Sequence, residues 1–552
     1  MKRAKKTPTT SSDNYLYPNT TTLKNKHGII NKKAFNQRCA LDSEIALSDI
    51  RQEPLPDKFD TDYLMHLHYS LFYRTFEWAG ITRDIPFTFT DGTTAAMPRV
   101  KKKESDFLFA NGPEIKNGLR DLDQSLADWN YLQNLSREDF ANTAAQMFGH
   151  LNQVHPFREG NGRTQRLFFE RLAQSVGHSL DFSLVTQERM NTACNIARQY
   201  GDPRYLQWMF EDISNPDKTT ILKEFIDFKT EAGKKVLKKS LVVVAEEGAS
   251  YTGVYEHVSP NGFVINVDGT YVVCSLDHLT PEQLKTFKIG DEIHFTTPRE
   301  QDISSVLIPK EELRPLTKSE ICEQVVNNVH VQNAKRNVEN FSGIVYGNAQ
   351  ILNQRMDMIN ENPRSTEQLA HQIMQSPQSV GKLQGRKFCF LKNTERTRAE
   401  EHVQHLGHAI EAYIDAVKHA RNEILTTHKQ EQIRCGQEIL MPSQTLLNSL
   451  EMSARMQLET LESSSRLQRE LQILTVQMKK RFSPEDNKAI NEKDFKKLAK
   501  SLGTSIKKAE KIALCFDSAL KAQRNLDCSP LYAKVMKKPH QQKAPKAMAL
   551  AS

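Results

Sequence analysis

The chain has 552 residues, too many for one hydrophobic core, and its length implies three or four domains. Hydrophobic residues make up 38% and charged residues 26%, a soluble globular composition, and no run approaches the ~18 apolar residues of a membrane-spanning helix. No transmembrane segment is therefore expected, which leaves peripheral contact as the only membrane association. The basic start Met1–Lys6 leads into Thr, Ser and Asn, without the apolar stretch of a signal peptide. Eight cysteines are scattered with no Cys-x-x-Cys pair, so they read as free thiols and not as a disulfide frame or zinc site.

The net charge of +8 is placed unevenly. Residues 479–552 carry 18 Lys or Arg against 7 Asp or Glu, a net of +11, so the other 478 residues are net −3. The last 25 residues hold five lysines and no acid. Such an end reads first as a solubilising tail, and otherwise as a contact for nucleic acid, acidic lipid or an acidic protein receptor reached through long-range attraction. Past Asp527 the only aromatic residue is Tyr532, which offers no stacking platform, and no nucleic-acid partner is expected.

In chain order, residues 1–14 are polar and expected to be disordered. Residues 15–216 read as mainly helical, with Phe140, Ala144, Met147, Leu151 and Val154 spaced as one apolar helix face. That helix should end at His155-Pro156, where proline removes an amide donor. Before it, Ile85-Pro86-Phe87-Thr88-Phe89-Thr90-Asp91-Gly92 reads as a short β-hairpin closing at Asp-Gly. A charged helix over residues 219–239 precedes five short β-rich runs, 241–244, 251–255, 262–267, 270–274 and 292–296. Five strands in so few residues suggest a small oligonucleotide/oligosaccharide-binding (OB)-like β-barrel, acting as a spacer because no strand face mixes aromatic and basic residues. From Pro309 to about Ala533 the text is helical again. Stripes at Val403, Leu406, Ile410, Tyr413, Val417 and Ile424, and at Leu467, Leu471, Leu474 and Met478, suit an elongated helical bundle. His402, His405 and His408 have helical spacing but no carboxylate or cysteine among them, and read as a solvated face.

One dense constellation carries chemistry: His155-Pro156-Phe157-Arg158-Glu159-Gly160-Asn161-Gly162-Arg163-Thr164-Gln165-Arg166. The following Leu167–Leu172 is helical in pattern, so a glycine-rich loop opens a helix. Unpaired amides and the positive dipole end at a helix start form an anion site. Arg163 and Arg166 add planar donors for phosphate oxygens, and Glu159 is a hard oxygen ligand suited to Mg²⁺ held mainly by substrate phosphates. His155, ending the preceding helix, can accept a proton near neutral pH. The residues alone support nucleotidyl or phosphoryl transfer and do not choose between them.

These twelve residues resemble the signature of the Fic (filamentation induced by cAMP) family, His-x-Phe-x-Asp/Glu-Gly-Asn-Gly-Arg-x-x-Arg, matched at every specified position. The resemblance implies a protein adenylyltransferase that moves AMP from ATP to a Tyr, Ser or Thr hydroxyl. His155 would be its base, Glu159 its Mg²⁺ ligand, Gly160, Asn161 and Gly162 its anion hole, and Arg163 and Arg166 its polyphosphate clamp. Phe157 would be a core anchor. The hairpin, through Phe87, Thr88, Phe89, Thr90 and Asp91, would be the flap that docks the target segment as an added strand.

Tyr17-Pro18-Asn19-Thr20, Phe76-Glu77-Trp78-Ala79-Gly80 and residues 87–98 look like the Fic module of the Bartonella effector proteins. Ile308-Pro309, Pro315-Leu316-Thr317 and Val345-Tyr346-Gly347 look like the start of their helical intracellular-delivery (BID) domain. The implied order is a disordered start (1–14), Fic domain (15–216), linker helix and OB-like barrel (217–302), BID domain (303–533) and basic tail (534–552). The implied fold is multidomain and mainly α. The implied partners are a host target protein and a type IV secretion coupling machine that reads the BID domain and tail. The implied route runs from the bacterial cytoplasm into a host cell. The family's inhibitory motif, Ser/Thr-x-x-x-Glu-Gly/Asn, is absent: Glu159, Glu247, Glu339 and Glu361 have His155, Val243, Lys335 and Asp357 four residues earlier. That fits a brake supplied in trans by a small antitoxin-like partner. Rival readings are a delivered scaffold acting through the helical domain, and Fic chemistry with another donor.

Overall fold

The computed structural model describes residues 10–101, 108–237, 239–363, 368–388 and 391–529. They fall into two compact units, residues 1–279 with 287–300, and residues 280–286 with 301–552. The basic tail from residue 534 lies outside the described residues.

Unit 1 begins with helices α1 (Lys32–Gln52) and α2 (Thr61–Phe72), the strand pair β1 (Phe87–Thr88) and β2 (Thr94–Ala95), and α3 (Pro113–Asp128). Helices α4 (Arg137–Val154), α5 (Asn161–Ser175), α6 (Gln187–Tyr200), α7 (Arg204–Ser214) and α8 (Pro216–Leu237) follow. The apolar face expected on α4 is buried at all five positions, Phe140 to Val154. Ser136 caps the start of α4 by accepting from the amide of Asp139. The expectation that residues 10–14 are disordered is not met. Ser12–Tyr15 is a 3-10 helix, the Asn14 side chain donates to the Thr94 carbonyl at 2.6 Å, and the Ser11 amide donates to the same oxygen. A polar segment orders here because β2 offers it an unpaired edge.

Five strands follow, β3 (Val242–Val244), β4 (Ser250–Val258), β5 (Gly262–Val267), β6 (Thr270–Ser275) and β7 (Glu292–Thr296), close to the expected runs. Their order is β3-β6-β5-β4-β7, with β3 parallel to β6 and the other pairs antiparallel. No ladder joins β3 to β7 among the described residues, so the expected barrel is an open sheet. The core is completed by a helix where closure was expected. Ile221, Leu222 and Phe225 of α8 share one buried cluster with Val242, Val244, Val264 and Val273, while Phe263 and Ile265 point to the opposite face and are buried as well. A strand covered on both faces reads as a continuous apolar run, which is the texture of residues 263–265.

Unit 2 is helical from Lys318 to Asp527, apart from two short strand pairs that the sequence pattern did not announce. In one of them Val306–Ile308 lies antiparallel to Ile439–Leu440. The unit has two separate apolar cores. The stripe Val403, Leu406, Ile410, Tyr413 and Val417, on the helix Val403–Cys435, belongs to one, with Ile424 half-buried beside it. Leu467, Leu471, Leu474 and Met478 belong to the other. His405 and His408 are exposed, and His402 Nδ1 bonds the Arg398 carbonyl. No described helix is long and apolar enough to cross a membrane, and seven cysteines among the described residues are free.

Candidate active site

His155 terminates α4 in the left-handed region, at φ 47° and ψ 59°, which a side chain other than glycine adopts only when its surroundings hold it there. Three contacts do so. Its amide donates to the Leu151 carbonyl at 3.1 Å, its carbonyl accepts from Arg83 Nε at 2.8 Å, and its ring stacks on Phe109 at 4.0 Å. Arg198 of α6 lies 5.4 Å from the Phe109 ring.

The loop after His155 is closed from within. The Asn161 side chain accepts from the Phe157 amide at 2.9 Å and donates to the Phe157 carbonyl at 2.7 Å, and it is buried. The Asn161 side chain is thus buried and engaged by the loop. Gly160 has φ +91°, and a Cβ there would meet Phe72 Cε2 at 2.4 Å, so α2 demands glycine at this position. Gly160 is the N-cap of helix α5 and offers no side-chain cap, and the first helical backbone bond runs from the Thr164 amide to the Gly160 carbonyl. The amides of Asn161, Gly162 and Arg163 precede that bond, which makes an anion-receptive helix start.

The two motif arginines differ. Arg163 already donates to Ser43 Oγ at 3.0 Å, lies 4.5 Å over the Phe72 ring, and is 3.5 Å from Glu159 Oε1. Arg166 makes no hydrogen bond or ion pair among the described residues, and burial lowers its pKa from the ordinary arginine value. It folds back near Gly162, where a Cβ would come within 3.3 Å of its Nη1. Glu159 is exposed at the loop's rim. No group of three or more His, Cys, Asp or Glu gathers into a metal cage among the described residues. A lone rim carboxylate fits an ion that takes most of its ligands from phosphate and water, as Mg²⁺ does.

Beneath the loop sits His68, fully buried, a residue that sequence reasoning missed. Its Nδ1 accepts from the Gly80 amide at 2.8 Å, so its Nε2 carries the proton and donates to the Glu159 carbonyl at 3.0 Å. Its ring stacks on Phe157 at 3.8 Å. Burial pushes its pKa down to about 3, which keeps it neutral. Arg83, equally buried, was also missed. Glycine at 80, with φ +82°, was the nearest available signal for this layer.

The hairpin closes as expected at Gly92, φ +80°, whose amide donates to the Phe89 carbonyl. It is pinned by side chains. Lys24 pairs with Asp91 at 2.6 Å, Glu77 accepts from the Thr90 amide at 3.1 Å, and Phe89 is buried against Tyr15 and Phe87. Of the five residues expected to dock a target, Phe89 and Asp91 are therefore anchors of the hairpin. Thr88 is exposed, and Phe87 half-exposed.

Residues 58–173 match the Fic/DOC family, and residues 243–295 match a family described as an intracellular delivery domain. The second match falls on the five-stranded sheet and not on the helices from residue 303, to which the resemblance had assigned delivery. A protein adenylyltransferase of Bartonella henselae is 47% identical over 522 residues, 95% of this chain and 96% of the relative. The adenylyltransferase VbhT of Bartonella schoenbuchensis is 30% identical over 192 residues, 35% of this chain and 37% of that protein. The solved structure of the type IV secretion system effector protein BepA is 52% identical, covers 53% of this chain and 99% of its own, and superposes with a TM-score of 0.51. A helical module whose glycine loop opens a helix beside a histidine suits nucleotidyl or phosphoryl transfer, and the relatives select the nucleotidyltransferases. With near-full-length identity to a named enzyme, the chain belongs to the Fic family of protein adenylyltransferases.

Proposed function

We propose that His155 and the uncapped start of α5 together transfer AMP from ATP to a hydroxyl side chain of a host protein. The observation that carries this reading is the juxtaposition of a constrained histidine at the end of α4 with three helix-start amides that precede the first helical bond, and with an Arg166 that makes no hydrogen bond or ion pair among the described residues. The ATP phosphates lie over the amides of Asn161, Gly162 and Arg163, with Arg166 at the γ end. Glu159 would hold Mg²⁺, which when bound neutralises phosphate charge. The target hydroxyl gives its proton to His155 while its oxygen bonds the α-phosphorus. The bond to the bridging α–β oxygen breaks, and pyrophosphate leaves.

The target segment adds to the outer edge of β1, at Phe87–Thr88, because the N-terminal segment already occupies the β2 edge through Thr94. The Bartonella relative that spans nearly the whole chain, and the likeness to BepA, a type IV secretion system effector protein, support delivery from the bacterial cytoplasm into a host cell. In this reading the helices from residue 303, with the basic tail, engage the secretion coupling machine, and a small antitoxin-like protein supplies the missing brake. The domain limits read from the sequence are kept as part of this proposal, with an open sheet in place of the barrel and with residues 10–14 ordered.

The test is incubation of the full chain and its His155→Ala variant with a eukaryotic cell lysate and ATP labelled on the α-phosphate. Label should enter protein with the wild type and fall about 10²–10⁴-fold with the variant, at unchanged ATP affinity. Label from the γ-phosphate or from UTP instead would replace AMP as the transferred group.

A further inference from the structure

We infer that Arg83 is a positioning residue for AMP transfer, a single buried guanidinium that sets the base of the hairpin in register with His155. Its side chain is fully buried, yet it makes no ion pair among the described residues. Each of its five N–H donors is instead matched by a backbone carbonyl. Nε donates to His155 at 2.8 Å, and Nη1 donates to Met97 at 3.0 Å and to Pro98 at 2.8 Å. Nη2 donates to Ala110 and, at 3.4 Å, to Val154.

Those five oxygens come from three separate stretches: the end of α4 with His155, the strand leaving the hairpin, and the segment that carries Phe109. Backbone bonds repeat the connection, since the Arg83 amide donates to the Pro156 carbonyl at 2.9 Å and its carbonyl accepts from Met97. Burying a charge without a counter-ion is costly unless its hydrogen bonds are complete, and completeness here depends on the planar fork of arginine. Fully buried, the residue has no surface to offer a nucleotide or a target. It acts through the left-handed His155 on one side and the β1–β2 pair on the other, so it couples where the attacking hydroxyl sits to where its proton goes.

This inference rests on the reading of His155 as base and the hairpin as target dock. Arg83→Lys keeps charge and stem but can serve only part of the carbonyl set, and Arg83→Gln removes the charge. Both variants, the wild type and His155→Ala are compared in the full chain with labelled ATP and the same lysate. ATP affinity is measured by titration, and hydrogen exchange is followed over residues 87–97. Both Arg83 variants should lose at least tenfold in transfer rate with ATP affinity changed less than twofold, and the hairpin amides should exchange faster. His155→Ala should lose transfer with hairpin exchange unchanged. Transfer within twofold of wild type in folded Arg83→Lys overturns the inference while leaving the base assignment standing. Equal losses of ATP affinity and rate overturn it too, because they mark general collapse of the site. Absence of transfer by the wild type, or full transfer by His155→Ala, overturns the underlying reading and this inference with it.

Discussion

The glycine-rich loop after His155 and the five-stranded sheet lie in one unit and are held in opposite ways. The sheet is joined by backbone ladders over six paired residues between β5 and β6 and five between β4 and β7, with apolar side chains on both faces. The loop has almost no repeating backbone pattern. It is kept in shape by individual polar side chains, Asn161, His68 and Arg83, each bonded to main-chain atoms. Ladders and apolar faces tolerate exchange of one side chain for a similar one, because the backbone bonds persist. A loop fixed by side chains gives up its geometry when one of them goes. The reward is a set of free helix-start amides and a strained histidine, which regular structure would have paired or relaxed.

Substitutions can break this contrast, and the largest effect should come from the loop. Gly160→Ala places a methyl against Phe72 at 2.4 Å in a left-handed backbone, and a displacement of about 1 Å at a reacting centre can cost roughly 10²-fold. Transfer and ATP binding should both fall by about that factor while the circular dichroism spectrum stays helical. Wild-type ATP affinity would show that the loop tolerates the shift.

In the sheet, Ile265→Ala should cost about 2–5 kcal/mol of stability, read from thermal or denaturant unfolding, through the cavity it leaves. At a temperature where the variant is folded, its transfer rate should match wild type. A loss of transfer under those conditions would show that the sheet also shapes the site.

His68→Gln sharpens the comparison through pH. Burial holds the folded pKa of His68 at about 3, below the ordinary histidine value of 6.5, so below about pH 6.5 the unfolded chain binds a proton that the folded chain refuses. The stability of unit 1 should therefore decline as pH falls from about 6.5 toward 3, by on the order of 1 kcal/mol per pH unit. That part of the slope should vanish in the variant, measured by denaturant unfolding at several pH values. An unchanged slope would mean that other groups carry the acid response.

The smallest effect belongs to Lys24→Ala. It removes an ion pair with Asp91 whose carboxylate is half-exposed, worth at most about 1 kcal/mol and weakened by salt. Hydrogen exchange in residues 87–95 should quicken slightly at low salt and hardly at all at high salt.

Much of the site was legible because its chemistry is contiguous. His155, Glu159 and Arg166 lie within twelve residues, and local helix and turn rules are enough to place them at the end of one helix and the start of the next. The helix and strand runs were legible for the same reason, since periodicities of 3.6 and 2 are local properties. What supports the site was not legible. His68 reaches Glu159 across 91 residues of sequence and Arg83 reaches His155 across 72. A lone histidine on a helix or an arginine beside a turn has no pattern that distinguishes it from a surface residue.

The amino-acid order by itself therefore determined the motif, its helix–loop–helix setting and the alternation of helical and β-rich regions, because each depends on neighbours along the chain. Only the tertiary structure decided that the sheet stays open against α8, that Asn161 spends its side chain on the loop, that Arg163 is engaged while Arg166 is not, and that Phe89 anchors the hairpin instead of presenting it. Each of those outcomes depends on which distant polar group or apolar surface arrives to satisfy a given side chain, and that is settled by packing.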